Sequence, residues 1–354
     1  MKIRNYIGLL IIALFTVTCS SDDDDDGISS AFVLRDRGEQ SILEDEMIRS
    51  YLQTHFYNYE EFQNPPADFD FKIRFDSITG VNADKIPLID QVRDTTYNRF
   101  DTNNTLYKLT ARAGQGDMPK STFTDSIFMN LKGENLSGGT FENFQNPGWI
   151  DLVNTVDGFM QGLSNVRGGT GFTQNNDGTI SFNNDYEIGA IFVPSGLGFF
   201  ASPPDDNIPL YSTLVFTYDV FDVNISDHDN DGIITFLEDI DSNGFLRDDI
   251  DNTDGDDTFN FEDTDDDGDG VLTELEIVFA TETITNQQGE VEEVEVFDSF
   301  LDTDGDGVSD HLDEDDDGDG RPTEDEIMVN NNTNVITFPD TDEDGTPDYL
   351  DPDS

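Results

Sequence analysis

The chain has 354 residues and a formal net charge of −61 at pH 7. A length of this order gives two or three domains, and so strong a negative charge excludes nucleic acid as a partner, because the two would repel. Cys19 is the single cysteine, which excludes an intrachain disulfide.

Residues 1–19 read as a targeting segment. Lys2 and Arg4 give a basic start, and Tyr6 to Val17 is a short apolar run that ends at Cys19. Ser20, Ser21 and the run Asp22 to Asp26 open an acidic linker over residues 20–30. This order resembles a bacterial lipoprotein signal. The resemblance implies acylation of Cys19, a membrane attachment through that lipid, and a cell-envelope location, at the outer membrane and surface-exposed. Thr16-Val17-Thr18 departs from the usual Leu-Ala-Gly box. An uncleaved anchor or ordinary secretion are the alternatives. The acidic run resembles a surface-export signal, and a solvated spacer is its plain reading. Anionic head groups would hold it off the bilayer.

Residues 31–100 read as a helical lead-in without chemistry of their own. Ile42, Met47, Ile48, Tyr51, Leu52 and Phe56 recur near helical spacing and predict a helix over Ile42 to Tyr57. Asn64-Pro65-Pro66 breaks it. Phe69 to Phe75 alternates apolar and charged residues and predicts a strand.

Residues 101–223 alternate strand and turn signals. Leu106 to Arg112 and Ser126 to Leu131 predict strands around a turn at Gly114 to Pro119. Val153, Val156, Phe159 or Met160, Leu163 and Val166 mark a short amphipathic helix that Gly168-Gly169 stops. Asn176-Asp177-Gly178 is a hairpin signal. In the last strand Leu214, Phe216, Tyr218 and Val220 share one face by alternation.

Three stretches here, in order, resemble the FKBP-type (immunophilin) peptidyl-prolyl isomerases: Gly138-Gly139-Thr140-Phe141-Glu142; Val156-Asp157-Gly158-Phe159-Met160-Gln161-Gly162-Leu163; and Val193-Pro194 with Leu197-Gly198-Phe199, Ile208-Pro209 and Ser212-Thr213-Leu214-Val215-Phe216. The resemblance implies an α+β fold with a curved antiparallel sheet over a short helix. It also implies X–Pro bonds of exported polypeptides as substrate and a cup built from Phe141, Glu142, Val156, Phe159, Phe199, Ile208 and Phe216. Such a reaction needs no cofactor. Phe159 stands at the family's tryptophan, Glu142 at its aspartate, Phe199 at a hydroxyl-bearing tyrosine, and Leu131 near its first pocket tyrosine. Losing one hydroxyl donor costs about 0.5–1.5 kcal/mol net.

Residues 224–354 hold 46 acidic residues against two basic ones, Arg247 and Arg321. Such a segment is disordered or binds cations. The spacing favours cations. Asp227, Asp229, Asp231 and Glu238 fit D-x-D-x-D-G with a carboxylate at position twelve, as do Asp265, Asp267, Asp269 and Glu276, and Asp315, Asp317, Asp319 and Glu326. Asp302, Asp304, Asp306, Asp310 and Asp313, and Asp340, Asp342, Asp344, Asp348 and Asp351, follow D-x-D-x-D-G-x-x-D-x-x-D, which resembles thrombospondin type 3 repeats. Alternate side chains of a tight loop converge on one calcium ion of six to eight oxygens. Asp239/Asp241/Asn243 and Asp254/Asp256 are degenerate members, Thr281 to Phe300 reads as a hairpin or linker, and His228 and His311 read as solvated.

Together these features give the expectation of an envelope-anchored prolyl isomerase carrying structural Ca2+ in an irregular C-terminal array. The rival is a calcium-dependent surface adhesion or spacer protein whose FKBP-like domain binds peptides without catalysis. A calcium sensor is a third reading, disfavoured because extracellular calcium would keep such loops filled.

Overall fold

The computed structural model describes residues 33–285, 291–330 and 335–354. The expected signal segment, Cys19 and the acidic linker lie outside the described residues. Helix α1 (Arg37–Thr54) is capped by Asp36, whose carboxylate accepts from the Glu39 amide at 2.9 Å. Strand β1 (His55–Tyr57), a short helix α2 (Tyr59–Gln63) and strand β2 (Phe75–Ser77) follow. Then come β3 (Val92–Arg99), β4 (Thr102–Arg112), β5 (Ser126–Asn135), β6 (Thr140–Asn143), β7 (Gly148–Asp151) and helix α3 (Asp157–Gly162). The excursion β8 (Phe172–Gln174) and β9 (Ile180–Phe182) leads to β10 (Glu187–Val193) and β11 (Leu214–Asn224). Two hairpins, β12 (Ile277–Thr285) with β13 (Val291–Phe300), and β14 (Met328–Asn330) with β15 (Val335–Thr337), interrupt the acidic segment.

A seven-stranded sheet runs β3-β4-β10-β11-β5-β6, with β7 also paired to β5, and every pairing is antiparallel. Alternation gives the sheet two apolar faces. Leu214, Phe216, Tyr218 and Val220 of β11, with Ile191 and Val193 of β10, face α3 as the repeat of two predicts. Val215, Ala190, Phe192, Tyr107 and Leu109 point the other way, onto Ile48 and Leu52 of α1. Burying side chains of this size contributes about 1.5–3 kcal/mol each, so both covers are integral to the fold.

Several expectations change. The lead-in is not separate from the sheet domain: β3 is a sheet strand before residue 101, and α1 closes one core. On α1, Ile42 and Met47 are exposed, while Gln40 and Glu44 are buried. The Glu44 carboxylate accepts from the Ser195 amide at 2.8 Å and from Gln40 at 2.8 Å, tying α1 to the turn after β10. A buried carboxylate with such donors satisfies its charge in place, and this polar stitch displaces the apolar positions that periodicity selects. Residues 69–74 are not a strand; Phe71 adopts φ 55°, and Phe62, Phe69 and Phe71 pack edge to face or tilted. Helix α3 ends before Gly168-Gly169, because Asn165 takes φ 64° and turns the chain.

Candidate functional site

Helix α3 lies unusually close to the sheet, and its glycines allow it. A Cβ on Gly158 would stand 2.3 Å from a Val193 methyl, and one on Gly162 would stand 2.7 Å from Ile191. Two glycines four residues apart face β10, so the Gly-x-x-x-Gly spacing within the sequence motif is a packing requirement. That approach drives Phe159 into the sheet beside Phe216, with ring centroids 4.9 Å apart at 74°. Phe141 of β6 meets the other side of Phe216 at 5.6 Å and 89°. Its ring lies over Gly133 of β5, where any Cβ would clash at 2.5 Å. Edge-to-face pairs of this kind add about 0.5–1.5 kcal/mol beyond burial.

Val156, Phe199 and Ile208 join the same apolar cluster. Six of the seven cup residues read from the sequence are therefore gathered from segments far apart in the chain. Phe159, Ile208 and Phe216 are nearly fully buried, whereas Phe141, Val156 and Phe199 are half-buried and form the accessible rim. Glu142 is the exception: it is exposed, and its carboxylate caps the Asn143 amide at 2.9 Å. On a strand, the residue after an inward Phe141 points outward, so Glu142 does not enter the cup.

The acidic segment forms tight loops, six of which end in a single 3₁₀ turn. A shared closure holds them. The amide at position nine donates to the carbonyl just before the loop at Thr235, Asn260, Thr273, Asp310, Thr323 and Asp348. The side chain at position nine also binds the residue at position two. Thr235 meets His228 at 2.7 Å, Thr273 and Thr323 accept from the Asp266 and Asp316 amides, and Asn260 binds Thr253. Asp310 and Asp348 direct both carboxylate oxygens to Thr303 and Thr341 at 2.6–2.7 Å. Asp310 and Asp348, expected as ion ligands, therefore also serve to close their loops.

Loops ending in glutamate place their carboxylates deepest. Oxygens of Asp227, Asp229 and Asp231 lie within 4.8 Å of one another, as do those of Asp231, Glu238 and Asp266, and those of Asp267, Asp269, Glu276 and Asp316. Asp266 and Asp316 come from position two of the next glutamate-ended loop, past the loops that intervene in sequence, so 265–276 adds a carboxylate to 227–238 and 315–326 adds one to 265–276. Both oxygens of Glu238, Asp266, Glu276 and Asp316 are buried without a hydrogen-bond partner. Isolated buried carboxylates are costly. Burial first, and neighbouring carboxylates second, push Glu238 up to about 10, Glu276 up to about 11, and Asp266 and Asp316 up to about 9. An all-oxygen donor set of this kind fits a hard divalent cation such as Ca2+. The third such loop differs, because Glu326 pairs with Arg321 at 2.9 Å. In the 302–313 and 340–351 loops, Asp302, Asp304, Asp306, Asp340, Asp342 and Asp344 are exposed.

Sequence reasoning missed Asp251, Asp263, Asp266 and Asp316. The signal for the last two was the unbroken Asp triplet at 265–267 and 315–317, read only at its odd positions. Neither histidine is freely solvated: His311 is buried and His228 is partly buried. His228 bridges Thr235 and, at 3.2 Å, Asp151 at the end of β7. His311 is buried against Phe300 at 4.6 Å, and burial lowers it to about 4.

The loops also close the sheet domain. Phe245, Leu246 and Phe261 belong to the core that contains Phe159 and Phe216. The Ser226 amide donates to Asp125 at 3.2 Å. The sheet domain and the start of the array therefore share one core, against the expectation of independent domains.

A family model described as BamM C-terminal matches residues 228–297. No curated protein matches the chain. Among solved structures, a peptidyl-prolyl cis-trans isomerase from Pseudomonas syringae is 19% identical, with a TM-score of 0.27, over 34% of this chain and 75% of that one. FkpA from Escherichia coli is 25% identical, with a TM-score of 0.26, over 34% of this chain and 48% of that one. The N-terminal domain of FKBP42 from Arabidopsis thaliana is 16% identical, with a TM-score of 0.26, over 34% and 86%. Each likeness covers a minority of this chain, and less than half of FkpA.

Proposed function

We propose that this protein binds proline-containing segments of exported polypeptides at the Phe141–Val156–Phe199 rim and accelerates their cis–trans isomerisation, with structural Ca2+ in the acidic array. The observation that carries this reading is the convergence of Phe141, Phe159 and Phe216 on one apolar patch beside α3. Isomerisation needs no acid, base or nucleophile. Its barrier of about 18–20 kcal/mol is amide resonance, and a tenfold rate gain requires about 1.4 kcal/mol. Water favours the planar, charge-separated amide. A rim of rings that excludes water favours the twisted form instead. Phe159, Ile208 and Phe216 form the floor that orients the proline ring, and Phe141, Val156 and Phe199 exclude solvent.

Ca2+, when bound, would neutralise the buried carboxylates of the array. Asp227, Asp229, Asp231, Glu238 and Asp266 would hold one ion, and Asp267, Asp269, Glu276 and Asp316 another. Lipidation at Cys19 and a surface-exposed outer-membrane location complete the proposal.

One observation favours the rival, a surface adhesion or spacer protein with a non-catalytic peptide clamp. Three of the cup residues are almost fully buried, and Phe199 brings no hydroxyl. The deciding experiment follows isomerisation of short X–Pro peptides by the whole chain from residue 20, because α1, β3 and Phe245 complete its cores. Catalysis that falls about tenfold in Phe141→Ala, with calcium retained, supports the enzyme. Peptide binding without catalysis supports the clamp, and neither binding nor catalysis overturns both.

A further inference from the structure

The loop 239–251 departs from its neighbours by one residue. In 302–313 the carboxylates after the glycine stand at positions nine and twelve, whereas here Asp248 and Asp251 stand at ten and thirteen. The insertion falls in Phe245-Leu246-Arg247, and this tip is what touches α3. The Gly244 carbonyl accepts from the Gln161 side chain at 2.5 Å. Arg247 donates to the Val153 carbonyl at 2.9 Å. Phe245 and Leu246 enter the core behind α3, and the Arg99 guanidinium, paired with Asp157 at 2.8 Å, lies 4.4 Å over the Phe245 ring.

The shape of this loop depends on Asp251. Its side chain is fully buried; one oxygen accepts from the Ile240 amide at 2.8 Å, and the other is buried with no hydrogen-bond partner. Asp239, Asp241 and Asp251 offer oxygens within 4.8 Å of one another. A buried carboxylate oxygen that no protein donor satisfies, facing two further carboxylates, is the signature of a cation ligand.

We propose that a Ca2+-class cation held by Asp239, Asp241 and Asp251 pins the Phe245–Leu246 tip onto α3, adding an ion-dependent clamp to the contacts of Phe261, Ser226 and His228 that join the acidic array to the sheet domain. A cavity of about 530 Å³ beside the contact, lined in part by Tyr97, Gln161 and Asn243, leaves the tip room to withdraw when the ion leaves. The clamp acts on the helix that carries Phe159, so it deepens the isomerase reading while resting on separate observations.

The test uses the whole chain from residue 20 and reads ion stoichiometry by calorimetry with CaCl2 and amide hydrogen exchange over residues 157–163. Calcium should slow that exchange at least tenfold. Asp251→Asn should lose one ion and the protection together. Phe245→Ala should keep the ion and lose the protection. Unchanged stoichiometry in Asp251→Asn, or unchanged protection in Phe245→Ala, overturns the proposal; should Asp251→Asn fail to fold, Phe245→Ala decides alone. None of these readouts is catalysis, so an inactive enzyme would overturn the isomerase reading and leave the clamp intact.

Discussion

In the sheet domain, neighbouring strands bury Leu214, Phe216, Tyr218 and Val220 on one side and Val215, Phe192 and Leu109 on the other. Among the described residues of the distal array the buried apolar side chains shrink to the cluster of Val271, Ile327 and Tyr349 together with Ile277, while Glu238, Asp266, Glu276 and Asp316 are buried as well. The first region is stabilised by removing hydrocarbon from water. The second has little hydrocarbon to remove, and its clustered carboxylates cannot all be charged together without a compensating cation. The same chain thus contains a part that folds by its own composition and a part whose folding, on the function proposed above, is linked to an ion.

The largest effect that would sharpen this contrast is calcium removal. Chelation should expand the segment beyond residue 250 and leave the sheet in place. Small-angle scattering should show a larger radius of gyration, while circular dichroism retains the strand signal. A radius that does not respond to calcium would break the comparison.

Next in size is the core itself. Phe159→Ala should destabilise the sheet domain by about 3–5 kcal/mol, read from urea unfolding in saturating calcium. Glu142→Ala, at an exposed position, should stay within about 0.5 kcal/mol of the parent. Equal losses in the two variants would deny that α3 is seated by Phe159.

The smallest effect is a proton count. Without an ion, Glu238 at about 10, Asp266 at about 9 and Asp229 at about 8 hold protons at neutral pH, raised by burial and then by neighbouring carboxylates. The proposed cation requires the deprotonated forms, so binding releases protons and apparent affinity rises with pH until these groups are deprotonated, at about 10. Calorimetry in buffers of different ionisation enthalpy measures the release. Proton uptake, or none, would contradict the buried-site geometry.

Much of the cup was legible. Period-two alternation placed Leu214, Phe216, Tyr218 and Val220 on one face, and the Gly158/Gly162 motif located the helix. Glu142 was misjudged because a motif position does not say which face of a strand is inward. Ile42 and Met47 were misjudged because the Glu44–Ser195 hydrogen bond, across 151 residues, selects the buried face of α1.

The sequence alone determined the elements governed by local spacing: the alternating strands, a short helix at Val156 to Leu163, and the regular spacing of the acidic loops. These depend on backbone geometry over a few residues. Only the tertiary structure decided that Asp266 and Asp316 reach back past an intervening loop to the carboxylates of 227–238 and 265–276, that Asp310 and Asp348 close loops, and that Phe245 and Leu246 finish the core behind α3. Those outcomes are contacts between segments that local spacing does not relate, set by which buried groups find partners when the chain packs.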